Sequence, residues 1–276
     1  MSEKSYLLES AVDSRLELEG LDDLHSAFIA YFGGNLSFAP LEEENVKNIL
    51  ELGSGSGAWA IDAALRFPQA DVLAVDISSI PPRYVPDNLH FMQHDLSQPL
   101  PLEINKFDVI HARLLMMHVP SPGYVLQHII DLLKPGGWLI MEDPDDEQKA
   151  EDGQLLGFVG TSPLVAALHN SIRSRGADPC FGREHEKLLI SSDSFQEVHS
   201  KKVVIPMSYQ DFGVAENTLG RVWRERYKHV ARGLPARLSG EGVTPDVLNQ
   251  YLTAMDDPNS NFTSVVYLSW ARKKLL

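Results

Sequence analysis

The chain has 276 residues, 43% of them hydrophobic, with 24 lysines and arginines against 38 aspartates and glutamates, a formal charge of −14. That length and apolar share suffice to bury a full core, and the acidic balance repels phosphate backbones and anionic surfaces, so neither nucleic acid nor membrane is an expected partner. The single cysteine, Cys180, excludes an internal disulfide and a cysteine-built zinc site, and the histidines fall without metal spacing, so no metal is expected.

Met1 to Gly20 alternates charged and apolar residues rather than forming a leader, and no later stretch is as long and apolar as a membrane span. The expected compartment is the cytoplasm, with the nucleus as the other choice. Leu21, Leu24, Phe28 and Ile29 then recur at helical spacing ahead of Gly33-Gly34, which predicts an amphipathic helix placed as a lid before the first strand. Val46–Leu52 is a short apolar run ending in Gly53-Ser54-Gly55-Ser56-Gly57, after which Ile61, Ala64 and Leu65 share one helical face as far as Pro68. Strand, loop and helix follow. Asp71–Asp76 holds the continuous apolar run expected of a strand covered on both faces.

Leu89–Met92 and Phe107–Ala112 predict a third and a fourth strand. Ser121-Pro122 opens a helix, with serine as the cap and proline where no amide is needed, and Val125, Ile129, Leu132 and Leu133 form its buried stripe. Lys134-Pro135-Gly136-Gly137 stops that helix before a fifth strand at Trp138–Met141. Strands alternating with helices imply a parallel sheet wound on both faces. Beyond Glu142, the acidic run Asp143–Gly153 predicts a loop at the carboxyl edge of the fifth strand, where ligands bind in such sheets. Leu155–Arg175 and Val214–Val230 read as helices, Thr244-Pro245 opens another, and Val203–Met207 and Ser264–Trp270 complete a mainly parallel sheet of seven strands.

The glycine loop carries the strongest chemical signal. Glycine lets a ligand approach the backbone, and the amide donors at the start of the following helix suit a carboxylate or a phosphate equally. Gly53, Gly55 and Ala58 also satisfy a dinucleotide pattern, so the loop alone leaves both cofactors open. Asp76 closes the second strand about 20 residues on, where an acid can accept from both hydroxyls of an adenosine ribose; a helix cap or solvated turn is its plain alternative. His94-Asp95-Leu96 offers a carboxylate to the exocyclic amine of adenine, for which a pyrophosphate binder has no need. A nicotinamide oxidoreductase would retain the loop and Asp76, but no Tyr-x-x-x-Lys pair is evident. Neither Ser54 nor Ser56 stands in the Gly-x-Ser-x-Gly order of a hydrolase elbow.

With these motifs and the turn Leu133-Lys134-Pro135-Gly136-Gly137-Trp138, the chain resembles the fungal secondary-metabolism methyltransferases called LaeA-like or UMTA-like, within class I of the S-adenosylmethionine-dependent enzymes. Ser5-Tyr6-Leu7, Arg15-Leu16, Trp59-Ala60-Ile61-Asp62, Val85-Pro86-Asp87-Asn88 and Phe107-Asp108-Val109-Ile110-His111-Ala112-Arg113 add to the likeness, which is dense over about the first 145 residues and faint afterwards. The resemblance implies a Rossmann-like single domain, with a lid over residues 1–44, a cofactor-binding core over 45–145 and substrate-side helices with the last two strands over 146–276. It implies S-adenosylmethionine as cofactor, held by Glu51, Gly53, Gly55 and Gly57 at the methionine part and ribose, by Asp76 at the ribose and by Asp95 at the adenine. Ser54, Ile77, His94 and Leu96 flank these positions and belong to the same expected lining. Tyr6 and Arg15 resemble cofactor-closing positions, and Arg113 lies where the methionine end should rest, with a surface arginine as its alternative.

The expected partner is a small-molecule methyl acceptor that presents an oxygen, nitrogen or sulfur nucleophile. His118 is the candidate base for a hydroxyl acceptor, because it follows the fourth strand on the cofactor edge; a structural histidine in an apolar stretch is the competing reading. Met116 and Met117 could line the pocket, and for an amine acceptor Glu142 or Asp143 would lie nearest the methyl group. The family also contains regulators, so a weakly active methyltransferase-like protein acting through protein partners is the second reading. The strongly acidic Asp143–Glu147 segment departs from the family, in the part of the chain that encodes the substrate.

Overall fold

The computed structural model describes residues 14–80, 82–146, 162–207, 214–258 and 263–275. Five strands run parallel: β1 (Asn48–Leu52), β2 (Asp71–Asp76), β3 (Leu89–Gln93), β4 (Phe107–Arg113) and β5 (Leu133–Pro144). Two more, β6 (Phe195–Pro206) and β7 (Thr263–Lys273), complete a seven-stranded sheet in the order β3-β2-β1-β4-β5-β7-β6, with β7 antiparallel to both of its neighbours. The strand order reverses between β1 and β4, and the crevice at their carboxyl ends is where open α/β sheets take ligands.

The two faces of the sheet follow the period of two. Ile49, Val109, Trp138 and Ile140 pack on one side against Trp59, Ala60, Ala63 and Ala64 of α2 (Ala58–Arg66). Leu50, Leu52, Ile110, Leu139 and Met141 pack on the other against Val125, Leu126, Ile129 and Ile130 of α3 (Pro122–Leu132). A third core joins α1 (Ser14–Tyr31), α4 (Pro163–Arg173), α6 (Val214–Gly233), α7 (Pro235–Leu238) and α8 (Pro245–Asp256) to Val203, Ile205, Val266 and Leu268 of β6 and β7. The long helices therefore gather at the carboxyl side of the sheet. No helix among the described residues is long and apolar enough to cross a membrane.

Several boundaries differ from those read in the sequence. β5 begins at Leu133, paired with Phe107, and the Lys134–Gly137 turn lies inside it as a kink, with Gly136 at φ 76 and a register shift between Phe107 and Val109. It also continues through Asp143 and Pro144, where a loop is expected from polarity alone, because Tyr267 and Val266 of β7 pair with them. Residues 147–153 of that expected loop lie outside the described residues, as do 155–161 of the helix expected from Leu155. β6 starts eight residues before Val203, since an edge strand alternates polar and apolar residues and shows no apolar run. Ser121 stands at the start of α3, but its backbone is left-handed and its side chain makes no cap bond. The short helix α5 (His185–Ser191) corresponds to no expected element.

Candidate active site

The carboxyl ends of β1 to β4 open into a cavity of about 590 Å³. The loop after β1 forms its floor, with Gly53, Gly55 and Gly57 at φ 69, 53 and 79, all in the region open to glycine. The Gly53 and Ser54 amides donate to the Val75 carbonyl at 2.8 and 3.1 Å, which fixes the loop to β2. A Cβ on Gly53 would lie 2.8 Å from Leu115 Cδ1 and force that side chain to move, and the positive φ strains any other residue there.

Asp76 braces the same loop. Its Oδ2 accepts from the Gly55 amide at 2.8 Å and its Oδ1 from the Ser78 amide at 2.9 Å, so the carboxylate holds the turn while each oxygen keeps a second lone pair. Asp95 accepts from the Ser97 amide through Oδ1 at 2.9 Å, which leaves its other oxygen for a ligand. Above the loop, Leu21 and Leu24 of α1 line the cavity. The helix is tied down by Arg83, whose Nη1 donates to the Ser56 carbonyl at 2.7 Å and to Asp22 Oδ1 at 3.0 Å.

A buried row of charges underlies the acidic end. Register pairs Glu51 with His111 and Arg113 with Glu142, so all four stand on the α2 face of β1, β4 and β5. Glu51 lines the cavity, is 3% exposed, and its Oε2 has no hydrogen-bond partner. His111 Nδ1 lies 3.4 Å from Glu51 Oε2 and Nε2 lies 3.7 Å from Glu142 Oε2, while its ring stacks on Trp59 at 3.9 Å. The Arg113 Nε donates to Glu142, Nη1 lies 3.3 Å from His25 Nδ1, and the guanidinium covers the Phe28 ring at 4.3 Å. Burial pushes the Glu142 carboxyl up, but Arg113 and His111 override it and hold it down at about 2.

Of the residues expected from the sequence, Glu51, Gly53, Ser54, Gly55, Asp76, Ile77, His94, Asp95, Leu96, Arg113 and His118 line this one cavity. Gly57 does not; it caps the start of α2 beneath the loop, where a Cβ would face Ile80 and Phe91 at 3.5 and 3.6 Å. Tyr6 lies outside the described residues, and Arg15 is placed only as a backbone position in the first turn of α1. Arg113 is no surface arginine, being 9% exposed at the side chain. Glu142 and Asp143 do not reach the cavity. The first is bound to Arg113, and the second is fully buried with His185 Nε2 at 3.2 Å from its Oδ2, so Asp146 is the acid of that segment that lines the chamber.

The other half of the cavity is apolar and, apart from the expected Met117, comes from residues that sequence reasoning missed. Leu164, Leu168 and Ile172 of α4, Trp223, Tyr227 and Val230 of α6 and Tyr251 of α8 wall it, together with Met117. Met116, by contrast, is fully buried in the sheet core. Asp146 accepts from the Tyr227 hydroxyl and lies 3.7 Å from His169 Nε2. Arg226 Nη2 lies 3.2 Å from Glu17 Oε1, and its buried Nη1 has no hydrogen-bond partner among the described residues. His118 ends the single 3-10 turn Met116–His118, and burial drives its imidazole down to about 4, only partly offset by the fields of Asp143 and Asp146. Among the described residues no three potential metal ligands come together.

Residues 25–175 match the family described as a methyltransferase domain. The chain is 36% identical over 281 residues to "Methyltransferase str3" of Strobilurus tenacellus, covering 96% of each protein. It is 35% identical over 140 residues to "Secondary metabolism regulator LAE1" of Cochliobolus heterostrophus, which spans 49% of this chain and 46% of that one. Its fold is similar to that of phosphoethanolamine N-methyltransferase 2 of Haemonchus contortus, solved in complex with S-adenosyl-L-methionine, with a TM-score of 0.58 at 13% identity over 100% of this chain and 60% of that one. A floor of glycines, carboxylates at the ends of three successive strands and a match of this extent agree, and the chain belongs to the methyltransferase family as an S-adenosylmethionine-dependent enzyme related to those of fungal secondary metabolism.

Proposed function

We propose that the chain methylates a small, mainly apolar molecule at an oxygen, nitrogen or sulfur nucleophile. The observation that carries this is the continuity of the cavity, which joins the carboxylates Glu51, Asp76 and Asp95 to a mainly apolar chamber of a size that suits a small molecule. The donor half fits its cofactor on two counts: Glu51 is a buried carboxylate at the cavity wall whose Oε2 makes no close hydrogen bond among the described residues, His111 Nδ1 standing 3.4 Å away, and the Gly53 backbone is bare at the wall. In this reading Glu51 receives the ammonium of the amino-acid end, Gly53, Ser54 and Gly55 meet its carboxylate, Asp76 with Ile77 takes the ribose, and His94, Asp95 and Leu96 frame the adenine. Residues 1–44 act as the lid, residues 45–145 as the donor site and residues 146–276 as the acceptor side.

When bound, S-adenosylmethionine supplies a methyl group on a cationic sulfur, a donor that is already activated. The chain's own task is alignment, an effect worth on the order of 7–11 kcal/mol in well-oriented reactions. Trp223, Tyr227 and Leu168 seat the acceptor's apolar body, and the orphaned Arg226 Nη1 receives one of its oxygens. His118 is held as neutral imidazole at physiological pH and takes the proton of a hydroxyl acceptor.

The regulator relatives match between about half and three quarters of this chain, whereas a relative covering 96% of it carries a methyltransferase name, which favours the enzymatic reading. Incubating the purified chain with methyl-labelled donor and a whole fungal extract that retains its small molecules, against the same extract without the chain, tests the proposal. Label is expected in the low-molecular-weight fraction; label confined to protein or nucleic acid, or no transfer despite calorimetric binding of S-adenosylhomocysteine, overturns it.

A further inference from the structure

His111 is a buried titratable group at the donor end that no step above uses. It is fully buried, faces Glu51 on one side and Glu142 on the other, and lies flat on Trp59. A neutral imidazole carries a proton on one nitrogen and a lone pair on the other, so one of the two carboxylates would face a lone pair in a dry interior. An imidazolium presents a positive edge to both, and its charge is favoured over the indole face. Burial alone opposes that charge, but the two carboxylates outweigh it and raise the imidazole above its ordinary value.

The groups that face or adjoin His111 then balance. Glu51 and Glu142 contribute two negative charges, and His111 and Arg113 two positive ones. The ligand's own carboxylate is met by the Gly53–Gly55 loop, so its ammonium arrives at Glu51 as a second cation beside the His111 Nδ1 edge, 3.4 Å from Oε2, and the two compete for one buried carboxylate. Arg113 cannot give up a proton, and Glu142 is held ionised by Arg113. Of these groups His111 alone can yield its proton, and its deprotonated Nδ1 would no longer compete with the ammonium for Glu51.

We propose that His111 is the positioning residue that holds Glu51 for the donor's amino-acid end, and that seating the ammonium there displaces one proton from His111 to solvent. The bond that forms is ammonium N–H to Glu51 carboxylate; the N–H of His111 is the one given up. The inference rests on the reading of Glu51 as the acid that meets the cofactor.

Titration calorimetry of the full chain with S-adenosylhomocysteine, at pH 7 in buffers of low and high ionisation enthalpy, counts the protons released. A fraction of a proton, up to one, should leave, and affinity should tighten by up to about tenfold per pH unit while the free imidazole remains charged. 5′-Deoxy-5′-methylthioadenosine, which has the nucleoside but no amino-acid end, should bind without proton release. His111→Gln, which keeps a neutral donor beside Glu51, should still bind S-adenosylhomocysteine but without release or pH dependence. Equal release with both ligands, none with S-adenosylhomocysteine, or unchanged release in the variant overturns the proposal. If the variant does not fold, the two-ligand comparison on the wild-type chain decides alone. Failure of S-adenosylhomocysteine to bind at all removes the cofactor reading of Glu51 as well, whereas binding without release removes the role of His111 only.

Discussion

Glu51 and His118 divide the chemistry between charge and neutrality, and each gives a sharp expectation. Replacing Glu51 by Gln keeps the shape but removes the buried charge, and a hydrogen bond to a charged group contributes about 1.5–3 kcal/mol. Glu51→Gln should therefore weaken S-adenosylhomocysteine by roughly 10- to 150-fold while leaving methylthioadenosine nearly unchanged, as calorimetry can read. His118 differs because burial keeps its imidazole near 4, so it stays neutral down to mildly acid pH. With a hydroxyl acceptor, kcat should hold between pH 8 and about 5 and fall only near pH 4, and His118→Ala should cost about 10²- to 10⁴-fold in kcat with donor affinity intact. An acid limb at the ordinary histidine value would exclude this role. For stability the sign is opposite to that of a histidine held charged: the folded value lies below the unfolded one, so the unfolded chain binds the extra proton and the fold loses stability as pH drops from about 6.5 to about 4. The motif acids Glu51, Asp76 and Asp95 were legible in sequence because each ends a strand at a fixed offset. His111 was passed over as part of an apolar strand, although a lone histidine amid Val109-Ile110 and Ala112 is a signal that the register partner deserves a search.

Helix α1 sits over the donor loop through contacts weaker than the core it covers. The Arg83–Asp22 pair is partly exposed, so it contributes about 0–1 kcal/mol, and the Arg83 bond to the Ser56 carbonyl is the firmer tie. Arg83→Ala should accordingly leave the unfolding midpoint almost unchanged, yet raise hydrogen exchange in α1 and shorten the residence of S-adenosylhomocysteine several-fold, on the order of 1 kcal/mol. Unchanged exchange in α1 would show that the helix is held by its apolar face alone. That face was readable, since Leu24 and Phe28 recur at helical spacing; its clamp was not, because Asp22 and Arg83 are 61 residues apart and neither belongs to a motif. The same limit explains the strand ends. Asp143 and Pro144 are in β5 because β7 pairs with them, a partner more than a hundred residues away that local polarity cannot reveal.

Across the whole molecule the sheet cores and the helical core meet at α1, which binds the two halves of the cavity into one mechanical unit. Phe28 of α1 meets Trp223 of α6 edge to face at 5.8 Å, and Glu17 meets Arg226 of the same helix. The donor half was legible because short loops at consecutive strand ends concentrate its residues in one stretch of chain. The acceptor half was not, because Trp223, Tyr227 and Tyr251 lie on helices whose spacing is that of any packed helix, and only folding turns those faces toward Leu168 and Met117. Trp223 is 3% exposed and belongs to both the helical core and the cavity wall, so removing it tests whether the halves are coupled. Trp223→Ala should lower unfolding free energy by about 3–5 kcal/mol in urea titrations, the range for truncating a buried large aromatic. If α1 transmits the loss, S-adenosylhomocysteine should also weaken several-fold although Trp223 lies on α6, remote in sequence from every loop that meets the donor. A less drastic Trp223→Phe should restore most of the stability and the donor affinity while still altering which acceptors are methylated. Donor affinity untouched in Trp223→Ala, at a temperature where that variant is folded, would mean that α1 closes on the donor independently of the acceptor chamber.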